Sequence, residues 1–205
     1  MNLPNQLTIS RFGLTVVFLW AVFSRSPVND TLALVIFCAA SLTDFFDGRI
    51  ARKRGIITNF GTLMDPLADK ILICSAFIAL VERGHLDAGA LAPFKPSPVT
   101  VEAWMVVIIV ARELAITGLR LLAASKNVLL AAERYGKHKT ISQIVAIISL
   151  LVMDAYVEWW PWLQSLFRGW VVIFAQWALW VAVALTALSG CIYLWRNRAI
   201  YMNEL

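Results

Sequence analysis

Long apolar runs alternate with short polar breaks along the whole chain, and six of the runs are long enough, or nearly so, to cross a bilayer as helices. The first covers about 12–23 and extends back through Leu7, and the SRSPVND stretch at 24–30 reads as a turn. The second starts near Thr31 and continues to about Ile50, and RKRG at 52–55 with TN at 58–59 closes the connection after it. A third run covers about 66–81. Asp65 can cap it with Pro66 at the first helical position, or the helix begins near Asn59 and bends at Pro66; the pattern allows both. Polar residues with three prolines and two glycines at 82–102 predict an irregular loop. The remaining runs are about 103–123, 140–156 and 171–195. Between the last two, VEWWPWLQSLFRGW predicts an interfacial turn whose Trp159, Trp160, Trp162 and Trp170 form an aromatic belt. Residues 1–10 are polar with spaced apolar positions, which suits a short segment lying on the membrane surface. A cleaved signal is disfavoured, because no basic region precedes the apolar run and Arg11 interrupts its start.

Composition strengthens this picture. The 205 residues are 60% hydrophobic with a mean hydropathy of +0.73, well beyond a soluble domain. The expected fold is therefore an all-α integral membrane bundle of six transmembrane helices with a short N-terminal interfacial segment, one domain over 1–205. The net charge of +5 is not a nucleic-acid footprint, because the basic residues fall between apolar spans. One set of connections holds twelve of them, Arg49, Arg52, Lys53, Arg54, Lys70, Arg120, Lys126, Arg134, Lys137, Lys139, Arg196 and Arg198. The other holds four, Arg25, Arg83, Lys95 and Arg168. The positive-inside rule puts the first set and both termini at the cytoplasm. Cys38, Cys74 and Cys191 lie scattered in apolar runs, which argues against a disulfide framework. With two histidines and no H-E-x-x-H, G-x-S-x-G or Walker A pattern, several enzyme classes drop out.

What chemistry remains is concentrated between residues 44 and 69. Asp44 and Asp47 are three apart, and Asp65 and Asp69 four apart, so each pair shares one face of a helix. Four clustered carboxylates repel one another, and hard divalent cations relieve that repulsion. A paired-metal centre suits phosphoryl chemistry, where attacking and leaving oxygens both need stabilisation. Gly48, Ala51 and Gly61 keep backbone accessible nearby, and Arg52 and Lys53 can meet phosphate charge.

Written out, Asp44-x2-Asp47-Gly48-x2-Ala51-Arg52-x8-Gly61-x3-Asp65-x3-Asp69 resembles the complete signature of the CDP-alcohol phosphatidyltransferases, with every fixed position filled. The resemblance implies an integral membrane enzyme that displaces CMP from a CDP-linked substrate with two divalent cations, Mg2+ by default and Mn2+ as a second fit. It implies Asp44, Asp47, Asp65 and Asp69 as metal ligands, Asp69 also as general base, and Gly48, Ala51, Arg52 and Gly61 as the pocket for CDP-diacylglycerol. It also implies a homodimer.

Two further polar constellations stand outside that stretch. Arg112 and Glu113 fall near the middle of the fourth run, where charges face a cavity or a partner, or pair structurally. Arg120 lies close to the same helical side. Gly136-Lys137-His138-Lys139-Thr140 opens the fifth run and puts two lysines at a helix N-terminus. MNLPNQLTISR, the ARE at 111–113, Arg120 and GKHKT are similar to segments of the bacterial phosphatidylglycerophosphate synthases, a branch of the same family. That similarity implies sn-glycerol 3-phosphate as acceptor, bound by Arg112, Arg120, Lys137 and Lys139. The rivals are a sister enzyme with another acceptor and, from another class, an ion-coupled transporter. The transporter reading predicts acids spread along a midplane pathway and a broken-helix repeat. The aspartates here cluster at span ends instead.

Overall fold

A computed structural model gives the architecture. It describes residues 3–24, 28–54, 59–88, 99–126 and 135–202, with the side chains of 3–9, 44–54, 59–69, 85–88, 135–138 and 199 outside that description. All regular structure among these residues is helical. The elements are α1 (Leu3–Phe23), α2 (Asn29–Arg54), α3 (Asn59–Ala88), α4 (Ala103–Ser125), α5 (Tyr135–Ala155), a 3-10 turn at Tyr156–Glu158, α6 (Pro161–Phe167), α7 (Val171–Arg196) and α8 (Ala199–Met202).

The six long helices close into a ring. α1 packs on α2 and α3, α3 on α4, α4 on α7, α7 on α5, and α5 back on α2, while α3 also meets α5. Small side chains make the close approaches: Ala21, Ala33, Ala40, Ala76, Ala146, Ala175 and Ala182 are fully buried. Larger groups fill the spaces between, as where the rings of Phe18 and Phe37 join α1 to α2 with centroids 5.6 Å apart. The outward faces are apolar as well. Trp20, Val107, Leu114, Trp177 and Leu188 are each more than half exposed. A bundle with a small-residue interior and a greasy perimeter fits a lipid surround, not water. The 26-residue α7 and the helical stretch 139–158 are long and apolar enough to span a membrane, and Ser10–Phe23 and Asn29–Thr43 are shorter apolar helices.

Several boundaries differ from the sequence expectation. Residues 3–10 continue α1 without a break and do not form a separate surface segment. Pro4 lies in the first turn, where its missing N–H removes no helical bond. α3 starts at Asn59 and runs through Pro66, so the earlier of its two possible starts is the one seen. It also runs on to Ala88, so the first third of the expected 82–102 loop is helical. The aromatic turn contains the short α6, with Pro161 in its first turn.

The end of the ring away from the aspartate motif is tied by a polar network. The backbone N–H groups of Asp30 and Thr31, orphans of the first turn of α2, donate to the Glu158 carboxylate at 3.1 and 2.9 Å. The Thr31 hydroxyl donates to the same carboxylate at 2.6 Å and accepts from Trp159 Nε1 at 3.0 Å. Arg83 of α3 meets Asp30 at 2.6 Å and approaches Asp154 of α5 at 3.8 Å. A carboxylate more than a hundred residues away in sequence thus caps α2 at its positive dipole end. Glu158→Gln keeps one acceptor but loses the charge, and should lower stability by about 1–2 kcal/mol. Thermal unfolding in detergent reads this as a Tm drop of a few degrees; an unchanged Tm would remove the capping role.

Candidate functional site: a cationic cavity beside the aspartate helices

At the other end of the ring, a cavity of about 230 Å³ opens among five helices. α1 contributes Arg11, α2 Ser41, α3 Lys70 and Cys74, α4 Glu113 and Arg120, and α5 Lys139 and Gln143. The volume is far above the ~10–15 Å³ that a single water needs. Among the lining residues, four cations surround one carboxylate. Such an excess of buried-edge positive charge attracts an anion.

Glu113 organises the wall. Its carboxylate accepts from Lys139 Nζ of α5, and Arg112 Nη1 approaches the same oxygen at 3.3 Å. All three side chains are at least nine-tenths buried, so each charge has an opposite neighbour where water is scarce. Lys70 Nζ donates to the Thr117 hydroxyl, which donates in turn to the Glu113 carbonyl at 2.7 Å. This holds the α3 ammonium against α4. Arg120 is more exposed; its Nε donates to the Tyr193 hydroxyl at 3.4 Å, and its guanidinium carbon lies 5.9 Å from the centre of that ring. Gln143 donates to Thr186 of α7 at 3.0 Å.

The aspartate motif belongs to the same end. Ser41 lines the cavity one helical turn before Asp44 on α2, and Lys70 lines it immediately after Asp69 on α3. The backbone therefore carries both aspartate pairs on helices that form the cavity wall. The side chains of Asp44, Asp47, Gly48, Ala51, Arg52, Gly61, Asp65, Asp69 and Lys137 lie outside the described residues. Among the described residues, no group of three His, Cys, Asp or Glu side chains could hold a metal ion.

Of the cations singled out from sequence, Arg120 and Lys139 line the cavity. Arg112 stands behind the wall and reaches it through Glu113. Arg11, Lys70 and Gln143 also line the cavity and were not singled out. Their signal was present: Arg11 interrupts an apolar run, and Lys70 adjoins the last aspartate. Neither is required by helix formation.

Comparison with known proteins bears on the whole chain. The family profile described as CDP-alcohol phosphatidyltransferase matches residues 1–188. A protein of Bacillus subtilis (strain 168) named CDP-diacylglycerol--glycerol-3-phosphate 3-phosphatidyltransferase is 38% identical over 208 residues, covering 96% of this chain and 95% of its own. A protein of the same name from Rickettsia bellii (strain RML369-C) is 32% identical, covering 94% and 93%. A probable phosphatidylglycerophosphate synthase of Mycobacterium tuberculosis (strain ATCC 25618 / H37Rv) is 37% identical, covering 95% of this chain and 81% of its own.

Proposed function

This chain belongs to the CDP-alcohol phosphatidyltransferase family, and we propose that within it the chain transfers the phosphatidyl group from CDP-diacylglycerol to sn-glycerol 3-phosphate. The products are phosphatidylglycerophosphate and CMP. The observation that carries the acceptor choice is the cavity with Arg11, Lys70, Arg120 and Lys139 around Glu113, beside the two helices that bear the aspartates. A phosphorylated acceptor carries nearly two negative charges and needs such a receptor; a neutral alcohol does not.

In this reading, Asp69 takes the proton of the acceptor hydroxyl as its oxygen bonds to the phosphatidyl phosphorus and the bond to CMP breaks. Asp44, Asp47, Asp65 and Asp69 supply hard oxygen donors suited to two divalent cations, Mg2+ first and Mn2+ second. Those cations, when bound, would neutralise the diphosphate and the departing CMP. Gly48, Ala51, Arg52 and Gly61 form the CDP pocket, and Arg120, Lys137 and Lys139 serve the acceptor phosphate, with Arg112 acting behind them through Glu113. The proposal includes six spans, the motif end facing the cytoplasm of a bacterial inner membrane, lipid tails entering between helices, one domain over 1–205 and a homodimer. The twelve-to-four asymmetry of basic residues supports that orientation.

The test is CMP release by purified protein in detergent with CDP-diacylglycerol and a panel of acceptors: glycerol 3-phosphate, inositol phosphate, serine and a second lipid. Activity with glycerol 3-phosphate alone is expected, and activity with another acceptor alone would move the chain to a sister enzyme. Within that assay, Arg120→Gln should raise the apparent KM for glycerol 3-phosphate roughly ten- to a hundredfold, through loss of a charge-assisted bond of about 1.5–3 kcal/mol. The KM for CDP-diacylglycerol should barely move. Lys139→Gln should do the same while also lowering Tm, because it strips a partner from buried Glu113. An unchanged acceptor KM in both variants would remove these cations from the acceptor site.

A further inference from the structure

α7 contributes no residue to the lining of the cavity, yet three of its residues hold the groups behind and around it. Thr186, Gly190 and Tyr193 fall within about 60° of one another around the helix. All three are buried, on a helix whose remaining surface is largely apolar. Thr186 accepts from Gln143 at 3.0 Å and itself donates to the Ala182 carbonyl at 2.6 Å, so its hydroxyl has a fixed direction. Tyr193 accepts from Arg120 at 3.4 Å, with the guanidinium carbon 5.9 Å from its ring centre.

Gly190 acts by what it lacks. A Cβ built on it would lie 2.7 Å from Arg112 Cγ and 3.6 Å from Arg112 Cβ. Of the five glycines whose surroundings are described, it alone has any such neighbour within 4 Å; Gly13, Gly84, Gly118 and Gly169 have none. The clash falls on the root of the arginine and not its flexible tip, so Arg112 could not keep its path beside any other residue type. That path ends at Glu113, which in turn holds Lys139.

We infer that the Thr186–Gly190–Tyr193 face of α7 is the positioning element of the acceptor site, setting Gln143, Arg112 and Arg120 from behind. The inference rests on the acceptor reading above, and it assigns acceptor affinity to a helix that contributes no residue to the cavity lining. Tyr193→Phe keeps the ring and removes the hydroxyl. Thr186→Val keeps the shape and removes the acceptor of Gln143. Gly190→Ala adds the obstructing carbon.

The experiment measures KM for each substrate and Tm for these three variants of the full-length protein in detergent, with Leu188→Ala on the exposed face of α7 as control. Tyr193→Phe and Thr186→Val should raise the glycerol 3-phosphate KM roughly two- to tenfold. Gly190→Ala should raise it further, up to roughly a hundredfold for a misplaced cation. The CDP-diacylglycerol KM should stay within about twofold, and the control should match the parent. In an Arg112→Ala background the obstructed side chain is gone, so Gly190→Ala should add nothing to KM. Equal rises for both substrates together with a lower Tm, an unchanged acceptor KM in all three, or a full Gly190→Ala effect without Arg112 would each overturn the assignment. If the parent enzyme uses no glycerol 3-phosphate at all, it is the acceptor reading that fails. The same KM comparison with whichever acceptor releases CMP then decides the role of α7.

Discussion

Stripping divalent cations from the purified protein should abolish CMP release, and adding back Mg2+ should restore it. The expectation follows from charge. Asp44 and Asp47 occupy one helix and Asp65 and Asp69 another, and both helices border the same cavity. Ionised carboxylates so grouped oppose the approach of a diphosphate, which is itself multiply anionic. Binding of the CDP-linked substrate should therefore fall along with turnover in chelator, by a factor that binding of a fluorescent CDP analogue can read. Cation re-addition should recover both together. Full turnover in chelator-treated protein shown to be metal-free would end the two-cation reading of the aspartate motif.

Asp69→Asn should lower kcat by roughly 10²- to 10⁴-fold, the usual share of a positioned general base. The amide matches the carboxylate in size and retains one oxygen donor, so CDP-diacylglycerol binding should change far less than turnover. Asp44→Asn and Asp47→Asn provide the contrast: these are proposed ligands that do not handle the proton, and their loss should weaken cation and nucleotide binding together. A near-normal kcat in Asp69→Asn, with binding intact, would pass the proton to another group.

The two readings differ in how far sequence alone could reach. Helix placement was legible because each apolar run is bounded by polar or turn-forming residues, and the six long helices coincide with the six runs. Their ends were less so. ERGHLDA after Val81 is polar and resembles a loop by composition, but most of its residues are good helix formers, and α3 takes them in. At Pro66 the local pattern allowed either a start or a longer helix passing through, and the fold carries α3 through it.

At the site, the aspartate spacing was legible because it obeys the period of one helix. The pairing of Glu113 with Lys139 was not, because it joins residues 26 apart on different helices. Arg11 and Lys70 were each explicable as boundary charges, and only packing shows that they share a cavity with Arg120. Gly190 gave no signal at all: a glycine in an apolar run is ordinary until an arginine stem from another helix is seen against it.

The closed ring also has an order of assembly written into it. α4 and α5 follow one another in the chain, yet α7 fills the seam between them, packing on both. During synthesis α7 leaves the ribosome after every other long helix. Until it inserts, the ring stands open on the side where Arg112 crosses toward Glu113. The nascent protein therefore carries its aspartate helices before α7 can hold Gln143, Arg112 and Arg120 from behind. On the acceptor reading proposed above, a chain truncated before α7 should therefore bind the phosphorylated acceptor poorly even with its aspartate helices in place.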